Sequence, residues 1–476
     1  MSLIERMRKL FEPRGNREFI LLLVLLSLIT YVHASLRGTK SVLVISHLGT
    51  ELISAIKLYA IVPLTIVFML GYIKLTDFVR RVTLAHILTW SFISWFVLFA
   101  LVIYPNLNDL NWHWIATTKL GQLPSLRYLT TVLVNWHLSL YYFLSEMWVT
   151  VMFSITAWQI INQISSQENA KKFYPWYGCI SSFGSMTGGY MLKLLAQNFT
   201  WEIGLRWLVS SFIVVALLIS LVLTVISRLA RDKNLNTVQQ YKQKRKAGLW
   251  NSLKVIASSR VIRLITLLLL CFNITINLIE GVWNKSYENF FQQNALKIQA
   301  LTGEVQFYTS LCAIIFALVS YHLLKRFSWR ATALFCPMIF LIGGGIFFGC
   351  IVSKEHLTIG LITMSALQMA IYIGAVHNVF AHSSKRSMFD ATKEMAYLPL
   401  DDALRSKGKA AAELIGMRFG KGAGALIQQF LLLLPFTANN LVDLAPITGS
   451  IYMILTVIWI YAVFSLAKYL RMNNHT

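Results

Sequence analysis

Five cations stand apart from the rest of the charge in this chain. Arg37, Lys40, Lys57, Arg418 and Lys421 fall in or beside long apolar runs, whereas the other basic residues occupy the segments between runs or at their ends. A cation at membrane depth costs ~2.5–3.5 kcal/mol on insertion scales, so it normally faces a bundle interior or a wet cavity. Arg418 and Lys421 lie midway along an apolar, Gly- and Ala-rich segment, in the stretch MFDATKEMAYLPLDDALRSKGKAAAELIGMRFGKGAGALIQQ from Met388 to Gln429. Its glycines let neighbouring helices approach closely, and the chemistry implied is binding of an anion. Its charged first half, up to Lys409, is expected in water. Arg37 and Lys40 (RGTKS) lie three apart at the end of the first apolar run, on one helical face. They read either as snorkelling anchors at a membrane boundary or as a pair of phosphate-binding cations.

The acids in apolar surroundings are as few. Glu146 (EMW) lies in a long run with Tyr142 and Thr150 at helical spacing. Either a buried ion pair or a role in substrate coupling would keep it there. Asn273, Asn277, Glu280 and Asn284 recur at intervals of four, three and four, which aligns them on one helix face. Such a stripe either lines an aqueous path or joins helices through polar contacts. GMRFGKG is not a phosphate loop. It has three residues where four belong, Gly422 where a Ser or Thr should hold Mg²⁺, and an apolar helical context. Charge contact by Arg418 and Lys421 is expected, and ATP hydrolysis is not.

The elements that must position these residues are membrane helices. The 476 residues are 56% hydrophobic and 13% charged, about half the charge of a soluble domain. Twelve spans are expected, at about 18–42, 55–75, 83–104, 130–163, 173–196, 205–228, 260–286, 303–324, 330–352, 357–382, 410–435 and 447–468. With both termini on the cytoplasmic side, 31 of the 43 Lys and Arg residues face inward and seven face outward, as the positive-inside rule requires. The net charge of +23 therefore reports orientation first and an anionic substrate second, not nucleic acid. The expected organisation is a cytoplasmic N-tail (1–17), an N-terminal six-helix half (18–228), a basic cytoplasmic linker (229–259), a C-terminal six-helix half (260–468) and a C-tail (469–476). The run after the N-tail lacks a small-residue cleavage pattern and reads as a retained helix. The Gly- and Ser-rich fifth span (GCISSFGSMTGG) echoes the Gly-rich eleventh, each after a basic loop, as in a transporter built from two related halves. The five cysteines fall in apolar runs without a CxxC pair, so no metal site or redox site follows. No histidine spacing suggests a metal, and no cofactor is expected. Tyr142, Tyr174 and Trp283 are candidates to stack on a base.

Several of these motifs resemble the ATP/ADP translocase (nucleotide transport protein) family of intracellular bacteria and plastids. The matching residues are TKEMAYLPLD (392–401), KGKAAAELIG (407–416) and GKGAG (420–424), with AKKFYPWYG from Ala170, Asn162–Ile164 and NLIEGVW at 277–283. Ser41 stands where the family usually has Asp after its Arg-x-x-Lys, and Gly281 and Val282 also depart from it. The resemblance implies an all-α, major-facilitator-like polytopic protein that is not an enzyme. It implies exchange of external ATP for internal ADP, with phosphate, across the inner membrane of an intracellular bacterium, by a protein expected to be a monomer in lipid. Arg37, Lys40, Glu146, Asn273, Asn277, Glu280, Arg418 and Lys421 would line the substrate site. The alternative is a proton-coupled or exchange carrier for GTP, UTP, NAD or another organic anion.

Overall fold

The computed structural model describes residues 17–118, 123–164, 167–229, 254, 256–257, 259–353, 356–359, 362–400, 408–409, 411–434 and 440–473. The N-tail and most of the expected linker lie outside the described residues. Among the described residues, twelve longer helices or helix series follow one another. The first half contains α1 (Arg17–Leu48), α2 (Glu51–Ala55, a π segment Ile56–Ile61, then Val62–Phe78), α3 (Arg81–Leu98 with π segment Phe99–Ile103), α4 (Trp136–Trp148, π segment Val149–Ala157, Trp158–Ile164), α5 (Gln167–Asn198) and α6 (Trp201–Leu229). The second contains α7 (Arg260–Phe291), α8 (Ala295–Arg326), α9 (Trp329–Ser353), α10 (Ala366–Ser384, continuing through π segment Lys385–Phe389 into Asp390–Tyr397), α11 (π segment Leu414–Phe419, then Gly420–Leu433) and α12 (Ala445–Asn473). Among the described residues, nine of these, all but α5, α10 and α11, are long and apolar enough to cross a membrane.

Three expected boundaries move. The first span runs on to Leu48, which places Arg37 and Lys40 inside a helix instead of at its end. A break at Asn135 separates the short helix Arg127–Val134 from α4 within the expected 130–163. Residues 357–359 and 362–365 are not helical. They belong to two antiparallel strands, β1 (His356–Ile359) with β2 (Ile362–Ser365), rich in the β-branched residues that suit strands. α10 starts only at Ala366, where Ser365 and Gln368 form a capping box with both bonds 3.2 Å long.

Each half has an apolar core, and one core crosses between them. One cluster joins Phe19 to Ile226 through α1, α3, α4, α5 and α6. The other gathers the second half around Phe272, Phe340 and Trp459 but also takes in Val42, Ile45, Ile53 and Ile56. The halves are therefore fused at the end where α1 meets α2. The opposite end carries the basic loops.

Glycines explain the helix pairing in both halves. Gly184 and Gly188 bring α5 against Ser27 and Tyr31 of α1, while Gly420 and Gly424 bring α11 against Asn273 and Asn277 of α7. The fifth helix of each half thus packs on the first through small residues, as the echoed sequences suggested. α5 also crosses to α8. A Cβ on Gly303 would lie 2.8 Å from the Gly189 carbonyl oxygen and 2.8 Å from the Lys193 amide nitrogen, both backbone atoms that cannot yield cheaply. Gly303→Val should therefore destabilise the protein by about 1–3 kcal/mol, seen as a lower melting temperature in detergent. Gly349→Ala, with nothing within 4 Å of the added carbon, should leave it unchanged.

Candidate functional site

The π segment in α2 has a sequence cause. Pro63 lacks the N–H that would bond the carbonyl four residues back, and the turns before it, Ile56–Ile61, widen to π geometry. Lys57 sits in that widened stretch. Similar segments follow Glu146, follow His382 and contain Arg418, in keeping with the frequent placement of π turns at functional sites.

Around these turns, charged groups from both halves meet. Lys40 Nζ donates to Glu146 of α4 and lies 4.3 Å above the Tyr142 ring. Lys40 is 6% exposed, whereas the Glu146 side chain keeps 29%. The carboxylate therefore forms the open side of the pair, and an anchor snorkelling to a membrane boundary is ruled out. Arg37 reaches across to the second half. Its Nη2 is 3.5 Å from Glu280 Oε1 and 2.9 Å from His382 Nε2, and its Nη1 is 3.5 Å from Gln306 Oε1. His382 Nε2 is in turn 2.8 Å from Glu280 Oε1. Ser41, where the resembling family carries Asp, bonds back to the Arg37 carbonyl, so Arg37 takes its acid from α7. Lys57 Nζ donates to Asn277 Oδ1 at 2.7 Å, another contact between the halves.

The remaining expected residues divide. Lys421 is exposed, and its charge acts on Lys40, Lys57 and Glu146. The side chain of Arg418 lies outside the described residues. Asn273 is packed between helices: it is 4% exposed, and its amide donates to the Leu269 and Gly416 carbonyls at 2.8 and 3.3 Å. It joins α7 to α11, the polar-contact alternative for this stripe. Asn277 does both jobs, since its carbonyl also accepts from Gln428 of α11 at 2.8 Å. Gly281 leaves the room for that Gln428 amide. Trp283 donates to the Ile371 carbonyl at 3.0 Å and is buried, so it is committed to packing. The Tyr174 side chain lies outside the described residues.

The sequence model of the TLC ATP/ADP transporter family matches residues 5–470. The chain belongs to that family. It is 33% identical to ADP,ATP carrier protein 1 of Rickettsia conorii over 96% of this chain and 94% of that one. It is 31% identical to ADP,ATP carrier protein 4 of the same organism, over 95% and 91%. Among solved structures it resembles an inward-facing bacterial homologue of the iron transporter ferroportin (TM-score 0.65, 12% identity, 98% of this chain and 100% of that one). It also resembles the xylose transporter XylE of E. coli in its inward-open conformation (TM-score 0.56, 12% identity, 94% of each). These likenesses agree with the major-facilitator-like fold.

In this TLC transporter, sequence reasoning missed His382, left Lys57 without a role and overlooked Arg386, whose charge acts on His382 and His33. It also missed a polar network at the end away from the basic loops. There Lys285 of α7 lies 3.1 Å from Glu51 of α2 and 2.8 Å from Glu288. Glu288 accepts from the Thr50 amide at 2.7 Å, and Gln429 of α11 donates to Ser54 at 2.7 Å. Lys193 of α5 and Glu304 of α8 pair nearby at 3.1 Å. The charged stretch before α11, expected in water, is partly packed instead. Lys393 is 7% exposed and sits 3.0 Å from Glu413, while Lys409 pairs with Glu394 at 2.6 Å.

Proposed function

We propose that this transporter exchanges external ATP for internal ADP and phosphate by alternating access, with the phosphates held where the two halves meet. The supporting observation is the charge of this cluster. Arg37, Lys40, Lys57 and Lys421 are four cations set against the two carboxylates Glu146 and Glu280, and an excess of positive charge suits a polyphosphate. Lys40 and Arg37 rest on the two carboxylates. Phosphate oxygens would compete for the same cations, so binding trades one set of charge contacts for another and avoids stranding a buried charge.

Exchange also suits the membrane potential. Moving one charge against about 100 mV costs roughly 2.3 kcal/mol, so importing a tetra-anion alone would cost about 9 kcal/mol. Returning a trianion cancels three of the four charges, and phosphate leaving with it removes the remainder. The basic-loop end is assigned to the cytoplasm by the positive-inside rule, with both termini there and the protein in the inner membrane. The network of Glu51, Lys285 and Glu288 then closes the outside. Substrate would enter from the cytoplasm, bridge the halves through α1, α2, α7 and α11, and draw the open end shut. Arg37, Lys40, Lys57, Glu146, Asn277, Glu280 and Lys421 carry the site in this reading, with Arg418 as a further cation. Asn273 holds α7 to α11.

The test is uptake of labelled nucleotides into cells or liposomes at equal pH on both sides. ATP uptake should rise at least about tenfold when ADP is preloaded, and other nucleotides should compete weakly. Uptake that needs no counter-substrate and follows an imposed proton gradient would overturn the reading.

A further inference from the structure

The contacts of one ring nitrogen carry the inference, which rests on the exchange reading above. His382 Nε2 is 2.9 Å from Arg37 Nη2 and 2.8 Å from Glu280 Oε1. Arg37 can only donate, and an ionised carboxylate can only accept. One imidazole nitrogen cannot accept from the first and donate to the second at the same moment. With Nε2 bare, Arg37 donates to it, and Glu280 keeps only the 3.5 Å contact with Arg37. With Nε2 protonated, the ring donates to Glu280 and faces Arg37 with an N–H, so the guanidinium is turned away from the pair. Arg37 belongs to the first half, whereas His382 and Glu280 belong to the second. The position of one proton therefore decides whether Arg37 has its short bond across the interface or only the 3.5 Å contacts with Glu280 and Gln306.

We propose that His382 is a positioning residue for the nucleotide: proton on Nε2, it holds Glu280 and hands Arg37 to the substrate's phosphates. The other groups around it fit this role. The charge of Arg386 acts on it from its own helix series, and the charges of Arg37 and Arg386 also act on His33 of α1. α8 contributes the neutral Gln306 through Arg37. The nearby group of α9 is the neutral thiol of Cys336, which takes a bond from Ser384. Arg37 is thus the cation in direct contact with the ring, and removing it onto a phosphate removes the repulsion that a second ring proton meets. Nucleotide binding and ring protonation then favour each other, by the reciprocity of linked equilibria.

The experiment compares ATP/ADP exchange by the wild type and by His382→Gln at about pH 6 and pH 8, the range where histidine titrates. The glutamine amide can still bond both neighbours, one through its oxygen and one through its nitrogen, but takes up no proton. Titration of the nucleotide itself is common to both proteins and divides out. Lowering the pH should improve the apparent KM for ADP about fivefold more in the wild type than in the variant, the low end of ordinary coupling. Equal pH profiles, or a larger acid effect in the variant, would overturn the proposal. A second measurement is calorimetry of ADP binding to the wild type and to His382→Gln at about pH 7.5 in two buffers of different ionisation enthalpy. Protons released by the nucleotide or taken up by a freed Glu146 are common to both proteins; greater net proton uptake by the wild type supports His382, and equal or smaller uptake overturns the proposal. Intact exchange with an unchanged profile removes this proposal alone, whereas absence of exchange by the wild type at any pH removes the reading beneath it as well.

Discussion

Lys40→Ala should lower ATP/ADP exchange by at least about 100-fold, and adding Glu146→Ala should restore stability without restoring transport. Removing one partner of a buried ion pair costs ~3–5 kcal/mol because the other charge is left unpaired. Here the stability cost belongs near the lower end, since Glu146 keeps 29% of its side chain exposed. The loss of exchange has a separate cause: a charge-assisted bond to phosphate is worth up to ~3 kcal/mol, which corresponds to about 100-fold. The double variant removes the stranded carboxylate, so its melting temperature should return most of the way to wild type. Its exchange should stay low, because the phosphates have lost a cation that nothing replaces. A pair that is only structural would instead let the double variant recover transport along with stability.

The second large effect concerns which end of the transporter is open. Lys285→Met leaves Glu51 and Glu288 together in a buried site without the cation that holds both, and like charges there repel. The closed end should lose about 3 kcal/mol or more. In a two-state equilibrium, that moves the populations about 100-fold toward the conformation open at that end. Spin labels on Asn198 of α5 and Lys297 of α8, both exposed and on opposite halves, should report a longer distance in the variant than in the wild type. An unchanged distance distribution would mean that the apolar contacts of α1, α2 and α7 hold this end without the charged network.

The membrane architecture was legible because hydropathy and loop charge are summed over many residues. The charged site was legible because cations and acids within apolar runs are rare. Arg37, Lys40, Glu146 and Glu280 each drew notice on that ground alone. Partnerships were harder to see, since they join residues far apart in the chain: Lys57 and Asn277 are 220 positions apart, and Arg37 and His382 are 345 apart. His382 carried no local signal at all, having no acid at helical spacing on its own helix. Asn273 shows the limit of periodicity, which aligns residues on a face without saying which neighbour covers it; here glycines of α11 cover it. Hydropathy also could not separate β1 and β2 from the helix that follows them. Ser365 and Gln368 were the available sign of where that helix starts.

The central claim is that cations of both halves leave their carboxylates to hold one set of phosphates. A structure of the protein with ADP bound tests it most directly. Phosphate oxygens should lie within hydrogen-bond distance of both Lys40 and Lys421, with Glu146 released from Lys40. A nucleotide bound elsewhere, with the Lys40–Glu146 pair intact, would contradict it.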